Sequence, residues 1–188
     1  MSALDGSAPV TRLRRSRPWR RTTCHLLALA LLVVWTAMFL IAPHLRTSAS
    51  VRQVALFAHL AAMVLGFGAV LTLDWFALMW LLGRRELATV VQVAYGVHTP
   101  VWLGLGGLTA SGVVLAPDTS APWTVVKLVA VLAVAINGLY ARQVQERLAE
   151  LNGTAPPRGV LLTATLVMVT SQAGWWTATA IGFLNAQR

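Results

Sequence analysis

Five separate stretches of this chain are each long and apolar enough to cross a lipid bilayer, and that excludes a soluble fold. The hydrocarbon core of a bilayer takes roughly 20 apolar residues as a helix. The stretches run from Cys24 to Ala42, from beyond Arg52 to Leu82 with only Asp74 interrupting, from Leu87 to Ala116, from Pro122 to Tyr140 and from Val160 to Leu184. Lipid offers backbone N–H and C=O groups no partner, and none of the stretches alternates polar and apolar residues as barrel strands do. The expected fold is therefore all-α: an integral membrane bundle of five transmembrane helices. Its organisation reads as a basic cytoplasmic tail over 1–23, an anchor helix over 24–42 and a four-helix membrane domain over 51–184.

Charge gives the bundle an orientation. Only 11% of the 188 residues are charged, yet the formal net charge is +9. Arg12, Arg14, Arg15, Arg17, Arg20 and Arg21 form one run beside the first apolar stretch. A basic cluster in that position is a topology signal, so nucleic acid is not an expected partner. With the N-terminus inside, Arg84, Arg85, Arg142, Arg147 and Arg158 join the cytoplasmic side, and only Arg46, Arg52 and Arg188 lie outside. That bias predicts a cytoplasmic N-terminus and an outside C-terminus in a bacterial inner membrane. The stretch 142–158 reads as a helix overhang followed by a turn through Asn152, Gly153, Pro156 and Pro157. A cleaved leader ending near Ser48-Ala49-Ser50 is the alternative to a retained first helix, although the apolar run exceeds a leader's usual 7–15 residues. Cys24 is the single cysteine, which excludes an internal disulfide and a cysteine-rich metal site.

Ionisable side chains inside a bilayer cost several kcal/mol and are functional candidates by default. Here they are His59, Asp74, His98 and Lys127, the last being the only lysine in the chain. His59 lies about 10 Å along its helix from Arg52, and Lys127 about 8 Å from Pro122, both entering from the outer side. Those depths match. His98 lies roughly 16 Å from the cytoplasmic end of its helix, which makes a His59–His98 pair the weaker geometry. Pro100 is expected to bend the helix that carries His98. Asp74 is expected to serve as a proton-relay group or as a partner of Asn137 or Gln172.

Around His59, the residues Ala55, Ala62 and Gly66 share a helix face, with Met63 one turn away. Such a lane of small residues admits either a flat cofactor or a neighbouring helix. Neutral imidazole is a common axial ligand of haem, which favours the cofactor. For Lys127 the plainer alternative is an ammonium snorkelling to the interface, and for Trp123, Trp175 and Trp176 a place in the interfacial aromatic belt. His25 and His44 sit at opposite ends of the first helix, where interfacial roles are expected.

From about residue 51 onward the chain resembles the small helical membrane proteins grouped around HemJ-type protoporphyrinogen oxidases and CopD-type copper-resistance proteins. The segments that carry the likeness are ALFAHLAAMVLGFGAVL, the basic turn GRREL, the glycine-rich GVHTPVWLGLGGLTASGVVL, and APWTVVKLVAVLAVAINGLYA with its tryptophan and lysine at a helix start. The resemblance implies that His59 is a haem-ligand histidine and that Lys127 is a functional lysine. The chain departs from that pattern in its extra N-terminal helix, in His98 and Asp74, and in lacking a histidine between Trp123 and Lys127.

The reading that follows is a b-type haem protein acting in electron transfer, or an oxidoreductase for a quinone or porphyrin-like substrate. Its haem b is expected to meet His59, Lys127, Gly66 and Met63, with His98 as reserve metal ligand and Lys127 as catalytic group. The rivals are a copper-handling protein and a non-enzymatic assembly subunit, each of them open to a homo-oligomeric state. Copper(I) prefers clustered thioethers, whereas Met38, Met63, Met79 and Met168 are scattered.

Overall fold

The computed structural model describes residues 21–151 and 154–186. The basic tail before Arg21, the Asn152–Gly153 part of the turn, and Arg188 lie outside them. The described chain is all-helical: α1 (Arg21–Ile41), a short 3-10 turn (Ala42–His44), α2 (Ala49–Leu81), α3 (Leu87–Val114), α4 (Pro122–Glu150) and α5 (Arg158–Ala186). The expected overhang is present, since α4 continues ten residues past Tyr140 before the turn.

Local chemistry sets the ends. The Ser48 hydroxyl accepts a hydrogen bond from the Val51 N–H at 3.4 Å and caps α2. Pro122 opens α4, where its missing N–H has no helical partner to lose. At the other end of α2, Gly83 takes φ +69°. Its N–H bonds to the Trp80 carbonyl and the Arg84 N–H to the Met79 carbonyl, which closes the helix as a Schellman turn. The end of α3 uses the same left-handed turn at Ala116, φ +47°, immediately before Pro117. α3 runs unbroken through Pro100.

Two antiparallel hairpins result. α2 packs along α3 and α4 along α5, while α3 and α1 touch α4 more sparingly. Glycine permits both close pairings. A Cβ on Gly104 would meet the Gly66 backbone N at 2.6 Å and the Ala62 carbonyl oxygen at 2.8 Å. A Cβ on Gly174 would collide with Val134 of α4. Where the hairpins face each other, Phe67, Val70, Leu105, Leu108, Val134, Ala135 and Trp175 form the core. α1 fastens to the outside of α4: Cys24 is fully buried, its Sγ accepting from Gln143 Nε2 at 2.8 Å, and Trp35, Phe39 and Ala42 pack near Leu128 and Leu132.

The surface is apolar where a soluble protein's is polar. Phe57 is 76% exposed, Val64 70% and Leu166 67%. Such a surface is stable only against lipid. Among the described residues three helices, α1 with its 3-10 extension, α2 and α4, are long and apolar enough by length and composition to cross a membrane. α3 and α5 are equally long but diluted by glycine, threonine and tryptophan. The chain is thus a multi-span helical membrane protein.

Candidate functional site

The polar groups inside the bundle fall into two levels. One lies toward the end where Ser48 and Ala121 start their helices. The other lies toward the α2–α3 and α4–α5 turns, the end that carries Arg84, Arg85, Arg147 and Arg158.

At the first level, His59 of α2 points into the seam with α3. Its Nδ1 lies 2.9 Å from the Ser111 hydroxyl. That hydroxyl donates to the Gly107 carbonyl at 2.5 Å, so its oxygen can accept from the imidazole, and the Leu108 backbone carbonyl is a second acceptor for the ring. Lys127 of α4 acts on His59 by its charge, as their matched depths along α2 and α4 predict. Among the described residues Lys127 makes no hydrogen bond or ion pair, and its side chain is half-buried.

The lane beside His59 is filled by a helix. Gly66 packs against Gly104 and the Trp175 ring, and Ala62 against Gly107. The expectation that Gly66 opens this face to a flat cofactor is corrected by the glycine stripe of α3, which takes up the space. Met63 is likewise engaged, its sulfur 4.0 Å from the Thr179 hydroxyl. Met168, on the same helix as Thr179, lies about 16 Å away along the axis.

His98 belongs to the other level. It lies thirteen residues from Ser111 along α3, about 20 Å, and metal–nitrogen bonds are only about 2 Å long. His59 and His98 therefore cannot bind one iron together, and the role of His98 as a reserve ligand beside His59 is corrected. Instead, His98 lines a cavity of about 250 Å³ between the two hairpins, together with Asp74 of α2, Asn137 and Arg142 of α4, and Trp175 of α5. The wall on α4 runs from Val134 to Leu148, so the cavity is some 21 Å long. A second cavity of about 250 Å³ shares His98, Trp102, Gly138 and Arg142 with it and continues it between α3 and α4, where the helices pack loosely.

Asp74 has a definite partner. The Gln172 amide donates to its carboxylate, and Gln172 in turn accepts from the exposed Trp176 indole at 2.9 Å. Asn137, the other candidate, donates instead to the Val167 carbonyl at 2.8 Å. Arg142 pairs with Glu146 at 3.3 Å, and its charge reaches His98.

Two polar groups of this wall were not found from the sequence. Trp175 is 3% exposed and stacked on Phe67, so it faces the core rather than the lipid. Among the described residues its buried indole N–H has no partner, nor has the buried side-chain amide nitrogen of Gln145. The signal for Trp175 was its neighbour Gly174, which turns that side of α5 inward. Trp123 and Trp176, at 58% and 56% exposure, do face outward. Among the described residues no three of His, Cys, Asp and Glu come together as a possible metal-ligand set. Compared with known protein families, characterised proteins and solved structures, the chain matches none.

Proposed function

We propose that this chain spans a bacterial inner membrane five times, with its N-terminus inside, and takes a membrane-soluble organic molecule into the cavity between its two hairpins. The observation that carries the reading is the cavity itself. Its wall is mostly apolar, yet α2, α3 and α4 each set an ionisable side chain in it, Asp74, His98 and Arg142. Ligand sites are largely apolar hollows with a few placed polar groups, and intramembrane ionisable residues usually face such hollows. The loose α3–α4 packing offers a path from lipid. Redox or proton chemistry on the ligand, as the resemblance implies, fits a wall that holds a carboxylate and an imidazole. The packing of α1 on α4 supports a retained first helix.

The test is binding of an apolar fluorophore without oxygen atoms to the purified protein in lipid nanodiscs. Ala94 lies in the wall. Ala94→Phe is expected to abolish specific binding while leaving the helical circular dichroism intact. Equal binding by both proteins overturns the reading.

Haem b at His59 is the second reading, favoured by one observation. The Nδ1–H bond to Ser111 is the arrangement that orients an imidazole for a metal on Nε2. The macrocycle does not fit in the Ala62–Gly66 lane, which α3 fills, so it would have to meet Nε2 on the side toward Lys127. A Soret band that disappears in His59→Ala supports haem. Stoichiometric copper without that band supports the copper-handling rival, and neither leaves the assembly role.

A further inference from the structure

We infer that the ligand of the inter-hairpin cavity is a ring compound of the quinone class, and that the Trp175 indole N–H donates to one of its carbonyl oxygens. The inference rests on the proposed cavity-binding function and names the substrate class.

Three observations converge on that class. The occupant must dissolve in lipid, since the wall is mostly apolar and the surrounding surface is built for acyl chains. It is expected to accept a hydrogen bond, because Trp175 lines the cavity with its indole N–H buried and without a partner among the described residues, and such a group left unsatisfied costs about 1–3 kcal/mol. It must also be slender, since the space is long for its volume, which suits a single ring carrying a chain rather than a macrocycle.

The polar groups lie where such a ring would use them. Trp175 stands one turn along α5 from Gln172, which holds the Asp74 carboxylate. Asp74 and His98 sit on neighbouring helices of the same wall. A carbonyl ring docked on Trp175 would have beside it a carboxyl group and an imidazole. Its chain would run toward Leu148, at the turn end. The unpartnered Gln145 amide, about 16 Å farther along α4 than Val134, is beyond the reach of the same ring and makes no part of the head site.

The experiment measures the affinity of decylubiquinone for the full chain in nanodiscs, with the oxygen-free fluorophore measured in parallel. Trp175→Phe keeps the ring and removes only the N–H. It is expected to weaken the quinone about tenfold, corresponding to about 1.4 kcal/mol, and to leave the fluorophore unchanged. Trp123→Phe, at an exposed position, is the control and is expected to change neither. Quinone affinity unaltered by Trp175→Phe, or no quinone binding while the fluorophore binds, overturns this inference alone. Failure of both probes to bind wild type overturns the cavity reading beneath it. Should Trp175→Phe unfold, the wild-type protein decides: duroquinone must compete with decylubiquinone about tenfold more strongly than durene, the same ring without carbonyls, and equal competition by the two overturns the inference.

Discussion

The His59 imidazole and the Ser111 hydroxyl are joined at 2.9 Å across the α2–α3 seam, and the serine proton is already given to Gly107. Ser111→Ala removes one hydrogen-bond partner of a half-buried imidazole and leaves it the Leu108 carbonyl, and Ser111 itself is 7% exposed. We expect a loss of about 1–3 kcal/mol, read from unfolding in detergent. Ser111→Ala added to His59→Ala should cost far less than it does alone, because the partner is gone. Additive losses would show that the bond contributes nothing.

The glycine stripe on α3 makes a sharper contrast. A methyl on Gly104 meets backbone atoms of Gly66 and Ala62, which cannot move aside, whereas one on Gly106 meets nothing within 4 Å. Gly104→Ala is expected to force α2 and α3 apart and cost about 1–3 kcal/mol. Gly106→Ala should be neutral or slightly stabilising, since alanine loses less backbone freedom on folding. Thermal unfolding of the two variants side by side checks this.

These two pairs also show what the sequence could and could not disclose. The helices were legible because lipid imposes length and apolarity directly, so α2, α3 and α5 begin and end within a few residues of the expected stretches. Matching His59 to Lys127 in depth needed only the rise per residue. Rotation about each helix axis was not legible. In a bundle that is apolar all round, no polar face marks the outside, and the Ala62–Gly66 lane serves a cofactor and a helix equally well. Trp175 and Trp176 are adjacent in sequence yet about 100° apart around α5, so one is core and the other lipid-facing.

Ala116 holds a left-handed conformation, φ +47°, that glycine adopts without steric cost. It stands where the α3 helix is closed, its N–H bonded to the Val113 carbonyl at 3.0 Å. Ala116→Gly is therefore expected to stabilise the protein by up to about 1 kcal/mol, against the usual direction of alanine-to-glycine changes. Unfolding in detergent, with Ala110→Gly in mid-helix as a destabilised comparison, tests it.

Asp118, in the loop between α3 and α4, accepts from the Ser120 hydroxyl at 2.6 Å and from the Ser120 N–H at 2.9 Å. Those donors favour the carboxylate and hold its pKa below the ordinary value, the hydroxyl contributing most. A depressed folded pKa means that the turn is fully supported above the unfolded value, about 3.9. The support fades as pH falls through the lower folded value. Carboxyl carbon shifts of Asp118 are expected to titrate below the ordinary range, and Ser120→Ala should return them to it.

Orientation can be read with a single thiol. Cys24 is fully buried against α4, its sulfur donating to the Leu139 carbonyl and accepting from Gln143. A membrane-impermeant maleimide is expected to leave it unmodified in the folded protein. In a Cys24→Ser background, a cysteine replacing the exposed Ser120 tests the α3–α4 loop, and one replacing the exposed Thr154 tests the α4–α5 turn. With the arginine-bearing end facing the cytoplasm, intact spheroplasts should label Ser120→Cys, and Thr154→Cys should label only after lysis. The reverse pattern would invert the topology and place the cavity mouth toward the outer leaflet. Labelling of both from one side would mean that α4 does not cross the membrane at all.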